Sequence, residues 1–370
     1  MNRKLLFGPA LLFCLGLPAL AQSTLTPEGV AAQLQANADA KKPHIPAGVT
    51  ESPVSFITTD GLALPGTLTL PQPSPDPKKP APKPPIAVLE QGSGVQDRDA
   101  TEGPNKFFQQ LAWGLAERGV ATLRYDRRAK VDMENFIQHA DLDHEVVLDA
   151  AAALAFVLTL PQVDPARVFL VGHSLGAQLA PDTVALRLSQ QADSVRGMAL
   201  LSGIARPIDQ VLDEQIRTLG KTQGGTQEQI DQIAKHWADV WAQAKDPATP
   251  ADRRIGVGAS LPVTYWRDWL RRDPVATMRT LAVPALVTRG TKDLNSTHTD
   301  FELLKAAATA PGSEAREFTG LNHLYIPLAG EPNGGDVFTP GKVSPEFMDY
   351  LAAWLLHTGV PKSFTVQQAR

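Results

Sequence analysis

The stretch Gly172-His173-Ser174-Leu175-Gly176 follows an apolar run, Val168-Phe169-Leu170-Val171, and precedes a helix-compatible segment. Gly-x-Ser-x-Gly between a strand and a helix is the pattern of a serine held on a sharp, strained turn, with its hydroxyl lifted above the sheet. Side chains two residues before and after such a serine would collide, which explains glycine at 172 and 176. The helix that starts behind Ser174 favours negative charge developing there. The chemistry this implies is nucleophilic attack by Oγ on an electrophilic carbon. A serine hydroxyl is a weak nucleophile until a base takes its proton, and the base in turn needs an acid to orient it.

Where this turn occurs in α/β-hydrolases, the chain order is serine, then Asp or Glu, then His. After the apolar strand Ala285 to Thr288 comes Arg289-Gly290-Thr291-Lys292-Asp293, which puts a carboxylate just past the strand's carboxyl end. Asp293 is therefore the assigned acid, with Asp300 the second choice. The expected last strand, Arg316 to Thr319, is followed by Gly320-Leu321-Asn322-His323, so His323 is the general base and then the general acid. His298 is too near Asp293 in sequence, and His357 falls in the closing helix. His173 reads as a packing residue of the turn. The oxyanion of a tetrahedral intermediate needs amide donors. One is the backbone N–H of Leu175. The other lies in the loop Gln91-Gly92-Ser93-Gly94-Val95, where Ser93 is assigned and Gly94 is the alternative. Asp97, Arg98 and Asp99 read as an ion-pair knot holding that loop, with Tyr125 to Arg128 as partners. An alternative for one of these arginines is to recognise a substrate carboxylate.

These residues require a scaffold, and the apolar patterning supplies one. Two extended runs, Pro53 to Thr58 and Leu62 to Leu70, flank Thr59-Asp60-Gly61 and predict a hairpin. Pro71 to Pro85 is proline-rich and reads as a stiff exposed loop. From Ile86 onward strands alternate with helices, including an apolar helix from Val146 to Leu160 and a closing helix from Phe347 to Leu356. That alternation predicts a mostly parallel twisted sheet with helices on both faces and the hairpin as its antiparallel edge. Residues 205–281 break the pattern with helical, tryptophan-bearing segments, one opening at Thr226 with Gln229 three residues on, a capping box. This insertion is expected to form a helical cap, its tryptophans mainly packing. The expected division is a leader at 1–21, an extension at 22–49, a catalytic domain from 50–204 and 282–370, and the cap at 205–281.

Met1-Asn2-Arg3-Lys4 followed by an apolar stretch and Ala19-Leu20-Ala21 has the form of a secretory signal peptide, too short and interrupted for a membrane span. The expectation is an exported protein, periplasmic or secreted, with no stable membrane anchor. The one cysteine, Cys14, lies inside that leader and follows Phe13 rather than a small residue, which argues against lipid attachment. Stability must then come from the core and not from disulfides. Loss of Arg3 and Lys4 takes the formal net charge from −4 to −6, which excludes a basic nucleic-acid surface. His139 and His144 flank acidic residues without a metal-site spacing, and neither a metal nor an organic cofactor is expected. Nothing in the sequence sets an oligomeric state.

Gly92-Ser93-Gly94-Val95-Gln96-Asp97-Arg98-Asp99, Gly103-Pro104-Asn105-Lys106, Arg124-Tyr125-Asp126-x-Arg128, the serine turn with Ala180-Pro181, and Ala205-Arg206-Pro207 together resemble bacterial carboxylesterases of the EstD type. The similarity runs over roughly residues 50–357, and the exported N-terminus and the proline-rich loop depart from the pattern. The resemblance implies an α/β-hydrolase fold and hydrolysis of simple carboxylic esters, with Ser174, Asp293 and His323 in the triad positions. The expected activity is that of a serine esterase acting on short- to medium-chain esters through an acyl-enzyme. A peptidase or amidase related to prolyl oligopeptidases shares such a triad, though no propeller-like repeat precedes the domain here. A non-enzymatic binding protein would not need the three residues in order.

Overall fold

The computed structural model describes residues 45–72, 82–190, 195–256 and 261–358. The expected leader, most of the extension and most of the proline-rich stretch lie outside the described residues. The strands are β1 (Val49–Ile57), β2 (Ala63–Pro71), β3 (Ile86–Glu90), β4 (Thr101–Glu102), β5 (Asn105–Lys106), β6 (Ala121–Tyr125), β7 (Val168–His173), β8 (Val195–Leu201), β9 (Arg254–Ile255), β10 (Leu261–Pro262), β11 (Ala285–Gly290) and β12 (Glu314–Phe318). Eight of them form one sheet in the order β1-β2-β6-β3-β7-β8-β11-β12. The hairpin β1–β2 pairs antiparallel from Val49 with Pro71 to Ile57 with Ala63, and β2 pairs antiparallel with β6. Every other pairing in this sheet is parallel. The fold is the α/β-hydrolase fold, as the strand–helix alternation implies.

The helices are α1 (Phe107–Glu117), α2 (Arg128–Val131), α3 (Met133–His139), α4 (Asp149–Val157), α5 (Leu175–Ser189), α6 (Ile208–Thr222), α7 (Gln227–Lys245), α8 (Val263–Leu270), α9 (Pro274–Arg279), α10 (His298–Ala307) and α11 (Pro345–His357). Period-two alternation in the parallel strands sends neighbouring side chains to opposite faces. Val88, Leu170, Leu200 and Val287 pack on one face with Leu154 of α4, Val184 of α5 and Leu304 of α10. Leu89, Phe169, Val171, Leu201 and Leu286 pack on the other with Phe108 and Leu111 of α1 and Phe347 and Leu351 of α11. Both faces are thus covered, and these strands read as continuous apolar runs for that reason.

The helix expected from Val146 begins earlier, as a π-helical turn over Asp143–Leu148 that continues into α4. Apolar counting overlooked this turn because it carries the fully buried Glu145, whose charge is matched by Arg127 at 2.8 Å. Between β8 and β11, helices α6, α7 and α8 gather a third apolar cluster against Leu175 and Leu179 of α5. Thr226 and Gln229 form the capping box read from the sequence. Trp237, Trp241, Trp266 and Trp269 are all buried; Trp266 meets Trp237 and Trp241 edge to face, at 5.4 and 5.6 Å between centroids, and stacks on Trp269. They are packing residues. Trp269 Nε1 also donates to Gln178 Oε1 on α5 at 2.9 Å, which ties the inserted helices to the helix behind Ser174.

Candidate active site

Ser174 sits between β7 and α5 with φ 55° and ψ −114°, a left-handed conformation that a serine adopts only when its surroundings impose it. Those surroundings are visible in the glycines. A Cβ on Gly172 would lie 2.4 Å from the Gly176 carbonyl oxygen, and one on Gly176 would lie 2.3 Å from the Glu90 carbonyl oxygen. Both obstacles are backbone, so neither can move aside. The Ser174 N–H donates to the Leu201 carbonyl at 3.0 Å, which keeps the turn stitched to β8. Leu175 is the first residue of α5, so its N–H is one of the amides at the helix start that have no intrahelical acceptor.

The loop after β3 closes over the serine. A Cβ on Gly92 would be 3.2 Å from Ser174 Cβ, so glycine is what permits this approach. Gly92, Ser93, Gln96, Ala100, Glu102, Phe107, His173, Ser174 and Leu324 line a small, narrow pocket. The expected knot under the loop is present. Arg98 forms a two-pronged pair with Asp126, at 2.6 and 3.1 Å. Asp97 accepts from the Asp99 and Thr101 amides and the Thr101 hydroxyl. Asp99 pairs with Arg124 at 2.9 Å. Arg127 and Arg128 are likewise engaged, with Glu145 and with Asp149 and Asp60 respectively, rather than presented to a substrate.

Asp293 and His323 are 30 residues apart in sequence, and His323 Nδ1 meets Asp293 Oδ2 at 2.8 Å. Their two loops are locked together. A Cβ on Gly290 would be 2.2 Å from the Leu321 carbonyl oxygen. The Thr291 and Lys292 amides donate to Phe318 and Leu321 at 2.9 Å each. The turn carrying His323 is held by Asn322, whose Oδ1 accepts from the Leu324 and Ile326 amides, each at 3.0 Å. Asp293 is buried, and its other oxygen accepts from the Asn295 and Ser296 amides at 2.7 and 3.1 Å. Burial pushes the Asp293 carboxyl up, but the His323 charge and hydrogen bond together with these two amides outweigh it and hold it below its ordinary value. An ionised carboxylate can only accept, so Nδ1–H of His323 donates to it, and Nε2 is the ring nitrogen that a general base would use.

Asp300, the second choice for the acid, has other duties. It caps α10 through Thr297 and takes the Ala205 and Arg206 amides and the Arg206 guanidinium. This also explains Ala205-Arg206-Pro207: the motif ties the exit of β8 to the start of α10. His173 is buried, with its ring centroid 4.5 Å from that of His323 and its Nε2 donating to the His323 carbonyl at 2.9 Å. Burial drives its pKa down to about 3, so it is a neutral donor that braces the His323 backbone and not a second base. The sequence reading recognised its packing role but not this bond, which depends on a contact 150 residues away.

Sequence reasoning did not single out Glu102. It is buried in the pocket beside Ser174, and a carboxyl there is detectable only once the hairpin β4–β5 turns it inward. Among the described residues no group of three or more His, Cys, Asp or Glu side chains could hold a metal ion, and no helix is long and apolar enough to cross a membrane.

A family model described as the alpha/beta hydrolase fold matches residues 144–298. The curated protein Esterase EstD of Thermotoga maritima is 31% identical over 306 residues, which is 81% of this chain and 66% of that protein. The chain therefore spans just under two thirds of this relative's length. Est1E from Butyrivibrio proteoclasticus superposes with a TM-score of 0.51 at 17% identity, over 83% of this chain and 98% of that one. The hyperthermophilic esterase from Pyrobaculum calidifontis does so with a TM-score of 0.51 at 14% identity, over 88% and 87%. At such identities the structural likeness speaks for the fold.

Proposed function

This chain belongs to the α/β-hydrolase superfamily, and on that premise we propose that it is a serine carboxylesterase acting on short- to medium-chain carboxylic esters. The observation that carries this reading is the buried Asp293–His323 pair at 2.8 Å, whose histidine ring lies 4.5 Å between centroids from His173, the residue before Ser174 in the strained turn between β7 and α5. In the proposed reaction Ser174 Oγ attacks the ester carbonyl as His323 Nε2 takes its proton. The amides of Leu175 and Ser93 bind the oxyanion of the tetrahedral intermediate. His323 then returns the proton to the departing alcohol, which leaves an acyl-serine. Water, deprotonated by the same histidine, releases the acid. The helices between β8 and β11 act in this reading as a cap that limits acyl length.

The test compares wild type with Ser174→Ala on the p-nitrophenyl esters of acetate, butyrate and a longer acid. Removal of the nucleophile should lower kcat by about a thousandfold to a millionfold. Wild-type turnover that the substitution leaves intact would overturn the assignment of Ser174. A rate on long-chain emulsions above that on soluble esters would overturn the length limit.

A further inference from the structure

Glu102 is a carboxyl where ester hydrolysis by the triad has no need of one. It is 7% exposed and shares a narrow pocket with Ser174, Gly92 and Ser93. The backbone works to place it there. Ala100, just upstream, has φ 47° and Gly103, just downstream, has φ 55°, both in the left-handed region. Ala100 lacks the glycine freedom that would make this conformation easy, and such strain concentrates at functional sites. Between them the two-residue strand β4, paired with β5, alternates, so that Thr101 turns to Asp97 while Glu102 turns in.

One Glu102 oxygen, Oε1, accepts from Gln96 Nε2 at 2.8 Å, and Gln96 also donates to the Ser93 carbonyl at 3.3 Å. The oxyanion loop and the carboxyl are therefore held as one unit. Among the described residues no hydrogen bond reaches the second carboxyl oxygen, which keeps some accessible surface. An accessible carboxyl oxygen in the pocket that Ser174 lines can accept from a donor that a ligand supplies.

We propose that Glu102 is the specificity-determining residue of this site, accepting a hydrogen bond from a hydroxyl group carried by the ester near its scissile carbonyl. The preferred substrates are then short hydroxylated esters rather than plain alkyl esters, an inference that rests on the esterase reading above. A hydroxyl suits the site better than an ammonium. Burial, with Asp97 adding to it, pushes the Glu102 carboxyl up to about 7 against the Gln96 bond and the His323 charge, so near neutrality it is only partly ionised. In either form it offers an acceptor oxygen, whereas an ammonium needs the full charge.

The experiment measures kcat/KM for two shape-matched pairs. Methyl 3-hydroxybutyrate against methyl 3-methylbutyrate places the hydroxyl on the acyl side. 2-Hydroxyethyl butyrate against propyl butyrate places it on the alcohol side. Wild type, Glu102→Gln and Glu102→Leu are compared, each normalised to the serine that a fluorophosphonate titrates, so that misfolded protein does not count. In one pair wild type should favour the hydroxylated member by about tenfold or more, and Glu102→Leu should abolish that ratio. Glu102→Gln should keep part of it, because the amide oxygen still accepts. If both pairs give the same ratios in wild type and Glu102→Leu, Glu102 only braces the loop and the proposal falls while the esterase reading stands. If wild type neither hydrolyses any of the four esters nor takes the fluorophosphonate label, both fall together.

Discussion

At the scale of single residues, the site depends on charges held in chosen forms. Asp293 is kept ionised by His323 and two backbone amides despite its burial. In Asp293→Asn the side chain keeps its size, but its amide group can face Nδ1 and impose the wrong tautomer. We expect kcat to fall about ten-thousand-fold with Tm little changed, measured on p-nitrophenyl butyrate and by thermal melts. A loss below tenfold would mean that another group orients His323. Glu90 behaves oppositely. Burial pushes it up to about 8, against the Thr183 hydroxyl bond and the Arg127 charge, with Asp182 adding to the rise. Below its ordinary value of 4.5 both folded and unfolded chains hold this proton, so Glu90 gives no pH dependence there. Between 4.5 and about 8 the unfolded chain releases the proton and the folded chain keeps it, so stability falls as pH rises through that window. Glu90→Gln removes this term. Its Tm relative to wild type should therefore climb from pH 5 to pH 8, and a difference independent of pH would refute the assignment.

At the scale of elements, the serine turn exists because three backbone segments cross within van der Waals contact. Gly172 lies near the end of β7, Gly176 in the first turn of α5, and the end of β3 packs against Gly176. In Gly176→Ala the new methyl would meet the Glu90 carbonyl at 2.3 Å, and no rotamer can relieve that. Overpacking against immovable backbone should cost about 3 kcal/mol or more, and activity should fall with it because Ser174 moves. Urea titration beside active-site labelling checks both. A fully stable, fully labelled variant would show that the turn is looser than described. The same elements explain the two glycines of the motif without appeal to flexibility, since neither Gly172 nor Gly176 has a positive φ.

At the scale of the whole molecule, the helices between β8 and β11 and the loop after β3 share a buried polar chain. Arg127 Nη2 donates to the Gln91 carbonyl at 2.9 Å, Arg127 Nη1 pairs with Glu145 at 2.8 Å, and the Tyr265 hydroxyl on α8 donates to Glu145 at 3.0 Å. The start of the loop over Ser174 is thus connected to the insertion through one carboxylate. Glu145→Ala would strand the Arg127 guanidinium, which is 1% exposed, without a counter-charge. The expected loss is about 3–5 kcal/mol. Replacing Arg127 and Glu145 together by Met and Leu should recover most of it, as read from urea midpoints. A single substitution no worse than the double would show that the pair is not coupled.

Much of this protein was legible in its sequence because the information was local. The serine turn is a five-residue pattern whose glycines answer clashes between near neighbours. The parallel sheet follows from strands and helices alternating, and the hairpin edge from Asp60-Gly61 between apolar runs. Chain order alone picked Asp293 over Asp300 and named His323, and the structure sets that pair side by side. What only the tertiary structure decided are contacts made across long loops. Asp300 serves Arg206, 94 residues before it, and His173 bonds a carbonyl 150 residues on. Glu145 is tolerable inside the protein only because Arg127 and Tyr265 converge on it from separate elements. Glu102 lines the pocket with Ser174, on a two-residue strand that two left-handed residues flank. Such placements depend on which backbones meet in space, and no periodicity or short motif encodes that.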